Sequence, residues 1–78
     1  MEKHDPAEME LLKILEEAIR EEKASAQRYR RGEELAGEQD VKKMFKKLVD
    51  DEVMHEKVLK ERYYEIKKRL GLKVIRDE

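Results

Sequence analysis

Three residues of the types that bind metal ions, Glu22, Glu52 and His55, occur where helical periodicity calls for apolar side chains. Glu52 precedes His55 by three residues, so on a helix the two side chains lie one above the other. Carboxylate oxygens and imidazole nitrogens are ligands for iron, manganese and zinc. Because burying a carboxylate without a partner costs free energy, we expect these residues to share a common binding partner.

Two helices and a short turn must position these residues. Asp5 is a helix cap followed by Pro6 and Glu8, an arrangement typical of a helix start. We predict a first helix over about 6–36, a turn over about 37–39, a second helix over about 40–70 and a short tail, 71–78. Asp40 is the expected cap of the second helix and Gly71 its stop. The whole chain, 1–78, is then a single helical-hairpin domain, within which Gly32 is expected to weaken or bend the first helix.

Each predicted helix carries one apolar stripe. The first stripe comprises Leu11, Leu15, Ala18, Ile19, Ala26, Tyr29 and Ala36. The second comprises Val41, Phe45, Leu48, Leu59, Tyr63, Ile66 and Leu70. Two packed helices leave much of both stripes exposed, so we predict an all-α fold in which an antiparallel two-helix hairpin dimerises into a four-helix bundle. A homodimer, or a higher assembly of dimers, follows from this exposed area.

The three polar residues also fall at one height in the hairpin. With the turn centred near Glu38, Glu22 is 16 residues before it, and Glu52 and His55 are 14 and 17 residues after it. At about 1.5 Å per residue these positions agree to within roughly 3 Å. A two-fold axis would bring together four glutamates and two histidines, the ligand set of carboxylate-bridged di-iron and di-manganese bundles. Two divalent ions would neutralise the four carboxylates.

A solvent-exposed interpretation of the same residues stays open. Glutamate is about a fifth of the chain, so a Glu three residues before a given His is a weak signal by itself. A glutamate in so charged a helix can also extend its carboxylate to water. The combination of inward positions, common height and central location is more specific than any one residue.

Composition excludes several classes of protein. Half of the residues are charged, yet the formal net charge is only −1, which argues against a nucleic-acid binder. Without cysteine the chain has no disulfide, thiolate zinc site or iron–sulfur cluster. No apolar run reaches membrane length and no signal-peptide pattern opens the chain, so a cytoplasmic protein without a membrane anchor is expected.

Two segments of the sequence resemble a known family. "EEKASAQRYRR", with Glu22 seven residues before Tyr29, and "DEVMHEKVL", with Glu52 and His55, resemble the metal-binding helices of ferritin-like and rubrerythrin-like half-bundles, most closely the encapsulated ferritins. The resemblance covers about residues 11–66. It implies two iron ions per dimer, bridged by Glu52, with Glu22 and His55 as terminal ligands; manganese or zinc would be substitutes.

The resemblance also implies supporting residues, partners and an activity. Asp51 could orient the histidine of the other subunit or be a solvated charge, and Tyr29 could bond a metal-bound carboxylate or be plain core. The implied activity is oxidation of ferrous iron by oxygen or peroxide, for storage or detoxification, in the cytoplasm or inside an encapsulin shell. Two alternatives are a rubrerythrin-like peroxide reductase with an external electron donor, and a non-catalytic, metal-stabilised assembly protein. His4 is assigned no role.

Overall fold

The chain folds as an antiparallel hairpin of two long helices. The computed structural model describes residues 5–74, with α1 at Pro6–Leu35 and α2 at Gln39–Arg69, and it has no strand within that range. The molecule is a rod of 61 × 20 × 14 Å. This confirms the predicted all-α helical hairpin. His4 and the end of the tail, 75–78, lie outside the described residues.

Contacts between the helices follow one antiparallel register. Arg69 pairs with Glu8 at 2.7 Å at the open end of the hairpin, and Tyr63 donates a hydrogen bond of 2.5 Å to Glu16. Nearer the turn, the Phe45 ring packs on Gly32. In each pair the two residues lie nearly equal distances along the chain from the turn, so a residue's height can be read from its number.

The helix ends combine predicted and unpredicted caps. The Asp5 side chain accepts a hydrogen bond of 2.9 Å from the Ala7 amide, as expected of an N-cap. The prediction of Asp40 as the second cap is wrong, because α2 begins earlier: Glu38 is the N-cap, without a side-chain cap bond, and Asp40 lies in the first turn. There its negative charge still favours the helix N-terminus.

The C-termini of both helices are also satisfied. The Lys42 ammonium donates a hydrogen bond of 2.7 Å to the carbonyl of Glu33 in the last turn of α1. At the end of α2, Gly71 has a φ of 75°, a conformation that glycine adopts without steric cost. Bonds from Leu72 to Lys67 and from Gly71 to Lys68 complete a Schellman motif, which confirms Gly71 as the stop signal.

The buried seam of the hairpin is narrower than the predicted stripes. The buried apolar residues of the described chain are Leu12, Ile19 and Ala26, spaced seven apart on α1, and Val49 on α2. Leu12 and Val49 were not in the predicted stripes, whereas Leu11, which was, is 43% exposed. One partner helix covers only the part of a broad apolar face that points directly at it.

Gly32 has a packing role that its sequence position did not reveal. The helix runs through it to Leu35, so the expected weakening produces no break. A Cβ atom at Gly32 would lie 2.7 Å from the Phe45 ring, which also packs against Tyr29 with ring centroids 6.2 Å apart. The glycine therefore allows close approach of an aromatic side chain to the α1 backbone.

Candidate metal site

Glu22, Glu52 and His55 converge near the middle of the hairpin. Helix α1 contributes Glu22, and α2 contributes Glu52 and His55, which are separated by less than one turn. The Nδ1 atom of His55 lies 3.4 Å from Oε1 of Glu52 and 3.7 Å from Oε1 of Glu22. One potential ligand atom from each residue lies within 4.8 Å of the others. The structure thus brings together the three residues singled out from the sequence.

Burial differs across the three residues. The side chains of Glu22 and Glu52 are 24% and 18% exposed, whereas that of His55 is 61% exposed. His55, which the sequence places on the stripe of α2 predicted to face the core of a dimer, is therefore largely exposed in the single hairpin.

The surroundings of the Glu22 carboxylate disfavour its charged form. Its Oε1 atom is buried and has no hydrogen-bond partner among the described residues. The pKa of Glu22 is raised above 4.5, first because a hydrogen bond with Glu52 favours the protonated form, and further by burial and repulsion from the Glu52 charge. His55 acts in the opposite direction and lowers it. In the absence of a cation, the Glu22 carboxyl group is therefore harder to ionise than an isolated glutamate.

A metal ion fits this donor set. For ligand bonds of about 2.1 Å, two ligands on opposite sides of an ion are about 4.2 Å apart, close to the observed spread. Two carboxylates and one imidazole are suitable ligands for iron or manganese. A cation would also bind the buried Glu22 oxygen. The free-energy cost of burying that oxygen without a hydrogen-bond partner in the metal-free hairpin would then be offset by a favourable contact.

The residues predicted to support the site have other contacts in the hairpin. The Tyr29 ring packs against Phe45, and Asp51 pairs with Lys47 at 3.7 Å on an exposed surface of α2. Neither contact reaches the three converging residues.

One polar contact was missed from the sequence. Tyr63 was assigned to the apolar stripe, but its hydroxyl donates to Glu16, and burial together with that bond raises the pKa of Tyr63 to about 12. The similar distances of Glu16 and Tyr63 from the turn, 22 and 25 residues from Glu38, could have indicated the pair.

This hairpin and its three residues are typical of half of a four-helix carboxylate bundle. One helix offers a glutamate and the other a Glu-x-x-His pair. The chain matches the rubrerythrin family model over residues 7–77 and belongs to the rubrerythrin family, within the ferritin-like superfamily. Members of this family are ferritin-like proteins that typically bind iron. The resemblance identified in the sequence is confirmed at this level, and the encapsulated-ferritin subtype stays a prediction.

Other comparisons add no further relative. No curated protein and no solved structure matches the chain at a significant level. Within residues 5–74, neither helix is apolar enough along its length to cross a bilayer.

Proposed function

We propose that this chain oxidises ferrous iron, with oxygen or peroxide as oxidant, at a dinuclear iron site shared between two copies, for iron storage or detoxification. The observation that carries the proposal is the convergence of Glu22, Glu52 and His55 around a buried oxygen, Oε1 of Glu22, that has no hydrogen-bond partner among the described residues. Membership of the rubrerythrin family supports iron as the native metal. Manganese and zinc suit the same ligands and are expected to substitute in the binding step.

Sharing between two copies is supported by what one hairpin leaves exposed. Leu11 and Ile14 lie within about 80° of Glu22 around α1, and both are exposed apolar residues of the single chain. His55 is exposed on the matching side of α2. A second hairpin against this side would bury the apolar groups and double the ligands to four carboxylates and two imidazoles.

Each residue has a separate task in this proposal. Bound iron would supply the exchange of electrons with the oxidant. Glu22 and Glu52 would bind and offset the positive charge, and His55 would bind as a neutral imidazole through Nδ1, the nitrogen that faces the carboxylates. Asp51 of one copy would orient the histidine of the other, and the Tyr29 hydroxyl would steady a ligand carboxylate in the dimer.

Anaerobic titration with ferrous iron tests the shared site. Two ions per dimer correspond to one ion per chain, so binding should saturate near that ratio. Addition of oxygen or peroxide should then give rapid ferric absorbance. Glu22→Ala should abolish both signals, whereas Glu17→Ala, an exposed glutamate on another face of α1, should keep both. Saturation at two ions per chain would contradict a shared site, and binding without oxidation would favour the non-catalytic assembly protein.

Peroxide reduction is a second candidate, favoured by the match to rubrerythrin. The described residues and the rest of the chain contain no cysteine, so the electrons would come from a separate donor protein. Consumption of peroxide that depends on a reduced donor, without net iron oxidation, would establish this reaction over the first.

A further inference from the structure

On the side of the hairpin that carries the candidate metal site, each helix has a similar pattern of residues when it is read from either end. The midpoint of this pattern lies between Glu52 and His55 on α2 and at Glu22 on α1. With the turn centred at Glu38, the two midpoints lie level to within about 1 Å along the hairpin. A single two-fold axis perpendicular to both helices can therefore relate two copies of α1 and two copies of α2 at once.

Apolar residues at equal distances from the α2 midpoint fit each other in such a pair. An antiparallel copy of α2 would place Leu48 level with the partner's Leu59, and Val41 level with the partner's Ile66. All four residues are only partly buried in the single hairpin. Their contact would bury apolar surface on both copies, which favours association.

The polar residues of the α2 pattern also meet suitable partners across the axis. Glu52 would face the partner's His55, a carboxylate opposite an imidazole. Phe45 would face the partner's Arg62, whose guanidinium can lie over the aromatic ring. In the single hairpin Arg62 pairs with Glu65 at 3.0 Å, but the two side chains are 68% and 64% exposed. So exposed a pair contributes little and leaves Arg62 free to turn toward a partner.

On α1 the residues on either side of the midpoint are small. Ala18 and the partner's Ser25 would lie level to within about 2 Å, and farther from the midpoint Leu15 would lie level with the partner's Tyr29. The distance between packed helices depends on the side chains at the contact, so the two small residues allow the α1 helices to approach closely. Close approach there would bring the two Glu22 carboxylates toward one shared site.

A second arrangement of the two copies would also bring the ligands together. If both turns lay at the same end, a two-fold axis parallel to the helices would place α1 on the partner's α2. Glu22 would still lie nearly level with the partner's His55, so the metal site by itself does not distinguish the two arrangements. Arg62, however, would face the partner's Leu15, which offers no aromatic ring. The matching residues on the two sides of each midpoint would also have no role.

We propose that the second copy packs with its turn at the opposite end of the bundle, so that α1 lies on the partner's α1 and α2 on the partner's α2. The proposal rests on the shared site proposed above and specifies which residues of the two copies meet there. Glu52 of each copy faces the partner's His55 across the axis, and the two Glu22 residues face each other.

Disulfide crosslinking between single-cysteine variants tests this arrangement. The chain contains no cysteine, so only the introduced thiols can react. A mixture of Ala18→Cys and Ser25→Cys, treated with oxidised glutathione in saturating Mn²⁺, should give crosslinked dimer on a non-reducing gel, because only facing residues bring two Cα atoms within the roughly 7 Å that a disulfide spans. The matched control mixes Glu17→Cys with Ala24→Cys, which have the same spacing on the opposite, exposed face of α1 and should give at least about tenfold less.

A mixture of Ala18→Cys and Leu59→Cys reports the alternative, since these residues of two copies face each other only when the turns lie at the same end. Crosslinking in this mixture and not in the first would overturn the proposed arrangement and leave the shared site standing. Crosslinking in neither mixture, by a protein that sediments as a dimer, would also overturn the arrangement. A protein that sediments as a monomer in Mn²⁺ would overturn the arrangement together with the shared site.

Discussion

Glu22 combines two opposed properties in one side chain. Its carboxylate lies beside Glu52 in a partly dry seam, and its raised pKa shows that the charged form is unfavourable there. The same position would suit the metal ligand that we propose, because a bound cation would satisfy both carboxylates together.

Replacement of Glu22 by alanine should therefore have opposite effects with and without metal. In chelator at neutral pH, Glu22→Ala should melt at or above the wild type, since replacing a buried charge with an apolar group is neutral or stabilising by roughly 1–4 kcal/mol when packing is good. Metal should stabilise the wild type by about 2.7 kcal/mol at a hundredfold excess over Kd and by about 4.1 kcal/mol at a thousandfold excess, a gain that the variant should lack, so at sufficient metal the wild type should be the more stable. Melting curves of both proteins under both conditions measure this, and a variant that kept the metal-induced shift would show that Glu22 is not a ligand.

The raised pKa of Glu22 also predicts a pH dependence of the metal-free protein. A carboxyl group with a higher pKa in the folded state binds its proton more tightly there. Its contribution to stability is therefore full below pH 4.5 and is lost as the pH rises through the folded-state pKa. Relative to Glu22→Ala, the metal-free wild type should lose stability over this rise in pH. Chemical denaturation at pH 4 and pH 7 compares the two; parallel changes would contradict the shift.

Tyr63 should make the stability of the protein depend on pH in alkaline solution. Its pKa is raised from 10.0 to about 12, so the stability that it contributes is full below pH 10 and is lost as the pH rises toward 12. At pH 7, Tyr63→Phe should cost about 1 kcal/mol through the lost hydrogen bond to Glu16. Denaturation of both proteins between pH 9 and 12 should show this difference shrinking as the pH rises; a difference that stays constant would contradict the raised pKa of Tyr63.

At the scale of the helices, the close approach of Phe45 to Gly32 fixes how the two helices pack near the turn. Three atoms of the ring lie within 2.9 Å of where a Cβ at Gly32 would be, and the ring is held on another side by Tyr29. Helix propensity alone favours alanine at such a position by about 1 kcal/mol. Packing opposes that preference.

Gly32→Ala should destabilise the hairpin, because overpacking costs roughly 1–3 kcal/mol and exceeds the gain in helix propensity. Gly37→Ala is the control: no atom lies within 4 Å of its Cβ position and its φ is not positive, so the change should be neutral or stabilising by up to about 1 kcal/mol. Thermal melting of both variants gives the comparison. Adding Phe45→Leu to Gly32→Ala should recover part of the loss, and failure to do so would remove the ring as the cause.

At the scale of the whole molecule, one hairpin leaves much of its apolar surface exposed. Only four apolar residues of the described chain are buried, whereas Leu11, Ile14, Met44 and others stay exposed. The exposed face of His55 lies on the same side as Leu11 and Ile14 in the arrangement that we propose for the dimer. Folding, association and metal binding should therefore be coupled.

A charge placed on that side should separate the copies. Ile14→Glu, at a position 50% exposed in the hairpin, should raise the dimer dissociation constant about a hundredfold or more, because the interface would bury an unpaired carboxylate. Met54→Glu, at a position 56% exposed on another face of α2, should leave association unchanged. Sedimentation at micromolar concentration reports both. A compact, folded wild-type monomer would refute the dimer and the shared site with it.

Much of this architecture was readable from local patterns. Asp5, Pro6 and Gly71 set helix ends through backbone chemistry that needs no distant partner. The faces on which Glu22, Glu52 and His55 lie followed from the helical period of 3.6 residues. In a hairpin with a short turn, residues equally far from the turn along the chain lie level with each other along the helix axes.

The tertiary structure decided what depends on which surfaces meet. It selected Leu12 rather than Leu11 for the seam, moved the second cap from Asp40 to Glu38, and placed the Phe45 ring against Gly32. It also left His55 exposed and paired Tyr63 with Glu16. Periodicity identifies a broad apolar face, but only the rotation of one helix against the other determines which part of that face is buried.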